Sequence, residues 1–269
     1  MLTALRNLFR SNSKASSPLP RVPDGKRYYV IGDIHGRLDL FEALIAGIEI
    51  DDAAQSPADT QIILLGDLVD RGPDSAGVIA RARKLQAERN VRILAGNHEE
   101  MFITSFEQPE VLRHFLKHGG RETVMSYGIS RKQFNAMTLE ELFSNLPQIV
   151  PQADLDYLAG FEECITAGDY LFVHAGINPN VPIAEQKRKD MLWIRDRFLS
   201  HEGPLEKVVV HGHTIFDRVM DCGNRIGIDT GAFRSGVLTT LVLEGDQRRI
   251  LQTIEDDGQI GIFHGDQGR

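Results

Sequence analysis

Tyr28-Tyr29-Val30-Ile31-Gly32-Asp33-Ile34-His35-Gly36 is the stretch from which the fold can be read. Four apolar residues stop at a glycine, which predicts a short buried strand. Behind the loop, Leu38, Phe41, Leu44, Ile45 and Ile48 recur at helical spacing. The unit is strand, loop, helix, and it repeats. Gln61 to Leu65 predicts a second buried strand, followed by a loop and a helix over Ser75 to Glu88. Val91 to Leu94, Tyr170 to Val173 and Lys207 to Val210 predict three more strands. Towards the C-terminus, Arg225 to Ile228, Val237 to Leu243 and Arg249 to Ile254 read as strands joined by turns. Early β–α alternation followed by a late meander predicts an α/β fold of two packed mixed sheets flanked by helices.

Around this frame the chain is less regular. Ser11 to Gly25 is rich in Ser, Pro and Lys, so residues 1–25 are expected to form a disordered tail and order to begin near Arg27. Leu2, Leu5, Leu8 and Phe9 alternate with Arg6 and Arg10, too short a run for a stable amphipathic helix. From Met101 to Gly160 the strand signal vanishes, and Val111, Leu112, Phe115 and Leu116 form a helical stripe. Thr138 and Glu141 fit a capping box ahead of Leu142, Phe143 and Leu146. Residues 101–160 therefore read as a helical insert within one domain spanning residues 26–269.

The 269 residues carry a formal net charge of −8, which disfavours nucleic acid as a partner. No apolar run approaches a membrane span or the core of a signal peptide. Two cysteines far apart, Cys164 and Cys222, argue against a disulfide scaffold and fit a reducing, cytoplasmic compartment.

Five loops follow five predicted strands, and each carries residues suited to metal or phosphate. They run Gly32 to Gly36 (GDIHG), Gly66 to Gly72 (GDLVDRG), Gly96 to Glu99 (GNHE), His174 to Gly176 (HAG) and His211 to Thr214 (HGHT). Taken singly, each has a plain structural explanation: a turn, a helix cap or a core histidine. In α/β sheets, however, loops at the carboxyl ends of strands converge on ligands, and five such loops in one chain point to a site. Carboxylate, imidazole and amide donors suit Mn²⁺, Fe²⁺ or Zn²⁺, and the lack of cysteine donors argues against structural zinc. One carboxylate can bridge two ions about 3.5–4 Å apart and make an activated water available near neutrality, without a Ser or Cys nucleophile.

From about Tyr29 to Gly231, this ordered set of motifs resembles the phosphoprotein phosphatase branch of the calcineurin-like metallophosphoesterases, the bacterial and phage lambda type. The resemblance implies a β-sandwich with a dinuclear site at one edge and a metal-bridging hydroxide as nucleophile. It implies that Asp33, His35 and Asp67 hold one of two divalent metal ions, with Mn²⁺ expected and Fe²⁺ or Zn²⁺ as alternatives. Asp67, as bridge, with Asn97, His174 and His213 would hold the other. In HGHT the family's Gly-His-Thr selects His213 over His211, and Ile215 stands where related phosphodiesterases carry a further histidine. His98 would be the general acid, Asp70 its orienting carboxylate, and Arg71 a phosphate clamp. The segment Leu192 to Arg197 resembles a W-x-R-[ED]-R segment of the phage enzyme and nominates Arg195 as a second clamp; a solvated helix face is its alternative.

The implied function is metal-dependent hydrolysis of phosphomonoesters, chiefly phosphoserine and phosphothreonine on proteins, with small phosphoesters as further substrates. The rival within the fold is a symmetrical dinucleoside tetraphosphate hydrolase, a family that tends to carry Ala at the position of Asp70 and Asp at that of Glu99. An inactive phosphate-binding scaffold is the reading from another class, and the complete ligand set speaks against it. His118 to Thr123 (HGGRET) is the distinctive piece of the insert, and the sequence assigns it no role.

Overall fold

Successive residues of the opening strand face two different cores. Tyr28 and Val30 of β1 (Lys26–Ile31) point between two sheets, while Tyr29 and Ile31 point outward beneath helices. That is the period-two alternation of a strand covered on both faces. The computed structural model describes residues 19–266. In it β1 pairs in parallel with β2 (Asp59–Leu64), which pairs in parallel with β3 (Val91–Ile93). The second sheet is built on the short strands β4 (Cys164–Ala167), β5 (Tyr170–Val173), β6 (Val208–His211), β7 (Met220–Asp221) and β8 (Arg225–Gly227). Its order is β4-β5-β6-β8-β7, with β5, β6 and β8 parallel. The meander β9 (Val237–Glu244), β10 (Gln247–Asp256) and β11 (Gln259–Asp266) completes the first sheet, in the order β11-β10-β9-β1-β2-β3.

Between the sheets lie Val30, Ile63, Leu65, Phe172, Val210, Ile228 and Leu241, all fully buried. The outer face of the first sheet is covered by α1 (Leu38–Ala54) and α2 (Ser75–Glu88). Helix α1 buries Leu40, Phe41, Leu44, Ile45 and Ile48, each contributing about 1.5–3 kcal/mol of transfer free energy. Leu171, Val173 and Val209 on the outer face of the second sheet pack on Met191, Ile194 and Phe198.

The expected helical insert is present, but helix starts earlier than 101, because α3 (Asn97–Thr104) takes Asn97, His98 and Glu99 into its first turn, with Gly96 as its N-cap. Short helices continue to Ala159, and Thr138 caps the one at Leu139–Ile149 with the reciprocal bond to Glu141. Residues 1–18 of the expected tail lie outside the described residues. Within 19–25, order is in place before Arg27: Val22 is buried, and its N–H donates to the Gly245 carbonyl at 2.9 Å. No described helix is long and apolar enough to cross a membrane.

Candidate active site

Six parallel strands, β1, β2, β3, β5, β6 and β8, end on one edge of the sandwich, and each runs into a loop of chemically active residues. The first five deliver Asp33, His35, Asp67, Asn97, His98, His174 and His213, all buried. The sixth strand is one the sequence predicts, but its loop is not among the five singled out there; it delivers Asp229.

Asp67 sits at the centre. Its Oδ2 lies 3.5 Å from His35 Nε2, and its Oδ1 lies 3.4 Å from His174 Nε2. Donor atoms of Asp67, His174 and His213 lie within 4.8 Å of one another, and so do those of His35, Asp67 and His98, so Asp67 belongs to both groups. His35 Nδ1 donates to the Val69 carbonyl at 2.7 Å and His174 Nδ1 to that of Leu65 at 2.9 Å, which leaves both Nε2 atoms as lone-pair donors to an ion. With that tautomer, His174 Nε2 and Asn97 Oδ1 are two acceptors 3.0 Å apart, an arrangement a shared cation accommodates. His213 Nε2 is buried with no hydrogen-bond partner among the described residues. Burial pushes the His35, His174 and His213 imidazoles down, towards the neutral form that binds metal. These residues fit a pair of divalent ions.

Asp33 belongs to neither group. Its two oxygens accept from the His213 N–H at 3.2 and 3.0 Å, an approach possible because Gly212 has no side chain: a Cβ there would lie 2.0 Å from Asp33 Oδ1. Burial, then the neighbouring Asp229 and Asp67 carboxylates, pushes Asp33 well up from its ordinary value. Three buried carboxylates within mutual reach are an arrangement that cations offset. Asp229 itself accepts from the Gly231 N–H at 2.8 Å, and burial pushes it up to about 6.

Beside Asp67 lies the second expected constellation. His98 Nδ1 donates to Asp70 Oδ2 at 2.5 Å, and both residues are buried. Burial alone would lower the His98 pKa, but the Asp67 and Asp70 carboxylates outweigh it and the imidazole is pushed up. Arg71 donates through Nη1 to His35 Nε2 and through Nη2 to His98 Nε2, each at 2.9 Å, with its guanidinium 4.7 Å over the Phe233 ring. Arg195 is exposed at the rim, and its charge helps push His174 and His213 down. The neighbouring Trp193 anchors that rim by donating to Glu100 at 2.8 Å. His211 is in neither donor group and packs edge-on against Phe198. Arg121 starts a helix and donates to Asn135, as a structural arginine would.

His35, Asp67, Asp70, Arg71 and His213 have φ of 47°, 51°, 74°, 70° and 61°, left-handed values that cost side-chain-bearing residues about 1–3 kcal/mol each. Asp257, in the β10–β11 turn, is the remaining described non-glycine case. Glu99 helps hold this strained backbone. Its buried carboxylate accepts from the N–H groups of Gly96 and Asp67 at 2.8 Å, Leu68 at 2.7 Å and Val69 at 3.3 Å. It ties the second loop to the third.

The profile of the calcineurin-like phosphoesterase family matches residues 26–234. The chain is 28% identical over 219 residues to serine/threonine-protein phosphatase 1 of Salmonella typhimurium, covering 80% of this chain and 90% of that protein. It is 46% identical over 187 residues to a symmetrical bis(5'-nucleosyl)-tetraphosphatase of an Acidovorax species, covering 67% of this chain and 50% of the relative. A point variant of a cold-active protein tyrosine phosphatase shares the fold at 16% identity, with a TM-score of 0.56 over 90% of this chain and 83% of that one.

Proposed function

This chain belongs to the calcineurin-like phosphoesterases, and from that premise we propose that it hydrolyses phosphoserine and phosphothreonine monoesters on proteins. Asp33, His35 and Asp67 would hold one divalent ion, and Asp67, Asn97, His174 and His213 a second. Mn²⁺ suits this oxygen and imidazole set, with Fe²⁺ or Zn²⁺ as substitutes. Ions bound there supply Lewis acidity to phosphoryl oxygens and lower the pKa of water towards neutrality.

The observation that carries the substrate assignment is the 2.5 Å bond between His98 and Asp70. A serine alkoxide is a poor leaving group and needs a proton as the P–O bond breaks. An imidazole oriented and charge-supported by a buried carboxylate supplies one. Arg71 complements it. The two N–H groups it now places on His35 and His98 match the bidentate geometry of a phosphate dianion. With an ion on His35 and a phosphate on Arg71, the guanidinium would be drawn off both rings, leaving His35 Nε2 to the ion and His98 Nε2 to carry the proton. Arg195, whose charge is felt at His174 and His213, would be the second clamp.

A second reading, hydrolysis of dinucleoside tetraphosphates, has the Acidovorax relative in its favour. Against it stand Asp70 and Glu99 at the two positions where that family tends to differ. The test is Mn²⁺-reconstituted protein assayed side by side on a phosphopeptide panel and diadenosine tetraphosphate. Higher kcat/KM on a phosphoserine or phosphothreonine peptide is the expected result. A far higher value on diadenosine tetraphosphate would transfer the assignment and leave the metal ligands unchanged.

A further inference from the structure

We infer that the helical insert positions the acid and the phosphate clamp through two separate contacts: Thr123 sets Asp70, and the Gly119 carbonyl sets Arg71. The inference rests on the roles proposed for His98, Asp70 and Arg71, and it gives the His118 to Thr123 segment its function.

Asp70 and Arg71 are consecutive residues in left-handed backbone, so something outside the loop must hold them there. Both N–H groups go to the insert. The Arg71 N–H donates to the Gly119 carbonyl at 3.0 Å. The Asp70 N–H is shared between Ser75 Oγ at 3.0 Å and Thr123 Oγ1 at 2.9 Å. The Thr123 hydroxyl then donates to Asp70 Oδ1 at 2.6 Å, while accepting from Ser75 at 2.9 Å. One hydroxyl thus closes a ring on the backbone and carboxylate of the same residue. With Oδ1 fixed, Oδ2 is aimed at His98. Asp70, Ser75 and Thr123 are all fully buried, so water has no access to replace the hydroxyl.

Gly119 acts at the other point. Its φ is +109°, and a Cβ there would lie 2.6 Å from Arg71 Cγ and 2.7 Å from Arg71 N. The insert backbone is therefore pressed against the root of the clamp, and only glycine permits it. The two contacts act on different chemical steps. Losing the hydroxyl misdirects the acid, which matters when the leaving group needs a proton. Adding a methyl at Gly119 displaces the guanidinium, which matters for any phosphate.

The test uses the full chain reconstituted with Mn²⁺, with metal content measured for every variant. Thr123→Val is expected to lower kcat on a phosphoserine peptide at least about tenfold more than kcat on 4-nitrophenyl phosphate, at unchanged metal content. Thr123→Ser is expected to restore the peptide rate to within about threefold, because the hydroxyl carries the effect. Thr123→Ala serves in place of the valine variant if the latter misfolds. Gly119→Ala is expected to raise the Ki of inorganic phosphate, and KM for both substrates, about tenfold, leaving the ratio of the two kcat values unchanged. Equal losses on both substrates in Thr123→Val, or no rescue by serine, would overturn the inference alone, provided His98→Asn shows the leaving-group split. Absence of that split in His98→Asn would overturn the acid assignment and the inference with it.

Discussion

Replacing His98 with asparagine removes the proton donor, and the structure sets how large and how selective the loss is. The ring is held at Nδ1 by Asp70 at 2.5 Å, and the other Asp70 oxygen is held by Thr123 at 2.6 Å. An acid locked at both levels contributes in full, which for general acid–base groups is about 10²–10⁴-fold. At about 1.36 kcal/mol per decade, that is roughly 3–5 kcal/mol of transition-state stabilisation. Nitrophenolate leaves without a proton, so its hydrolysis escapes most of this loss. His98→Asn is therefore expected to lower kcat on a phosphoserine peptide by about 10²-fold or more relative to kcat on 4-nitrophenyl phosphate. The assay is steady-state release of phosphate from both substrates by Mn²⁺-loaded enzyme, with metal content and thermal unfolding as controls. His98 also lies in a donor group with His35 and Asp67. Equal losses on both substrates, accompanied by lost metal, would show it to be a ligand and refute the acid.

Asp70→Ala should follow the same split, costing the phosphoserine peptide heavily and diadenosine tetraphosphate little; comparable losses on both would contradict the orienting role. Glu99→Ala leaves four buried N–H groups without their acceptor and is expected to destabilise the fold by about 4 kcal/mol or more in denaturant unfolding; a change below about 1 kcal/mol would show that the loops hold themselves. Far from the site, Asp51 accepts from Tyr29 at 2.6 Å and from Arg249 at 2.8 and 2.9 Å. Asp51→Ala is expected to cost about 2–4 kcal/mol, less than a fully buried pair because Arg249 keeps some solvent access. Burial alone would raise the Asp51 pKa, but Arg249 and Tyr29 hold it below the ordinary carboxylate value. Its contribution is thus present above that ordinary value and fades as pH falls through the depressed one, so wild type and variant should converge in acid.

The frame and the ligand loops were legible because their signals are local. Tyr28 to Ile31 is a strand by composition alone, and helix α2 spans the predicted residues Ser75–Glu88. β4, β7 and β11 were missed for different reasons. Cys164–Ala167 and Met220–Asp221 are too short to show a pattern, and β11 is an edge strand whose Ile262 and Phe263 are exposed. The supporting residues were illegible because their partners are remote. Thr123 acts on a residue 53 positions away, and Glu99 reads backbone N–H groups that leave no trace in side-chain type. Asp229 follows a strand that was recognised, yet Asp-Thr-Gly has no signature until the sixth loop is seen beside the other five. Nor does a sequence show that His35, Asp67 and His213 sit in left-handed backbone, since glycine is the residue that announces it.

Electron paramagnetic resonance of Mn²⁺-titrated protein, with bound metal counted on the same samples, tests the central claim most directly. Asp67 places one oxygen towards His35 and the other towards His174, so it should bridge two ions. The predicted result is two Mn²⁺ per chain with an exchange-coupled spectrum, and loss of the coupling in Asp67→Asn. A single Mn²⁺ per chain, or two with the spectrum of isolated ions, would contradict the bridged site.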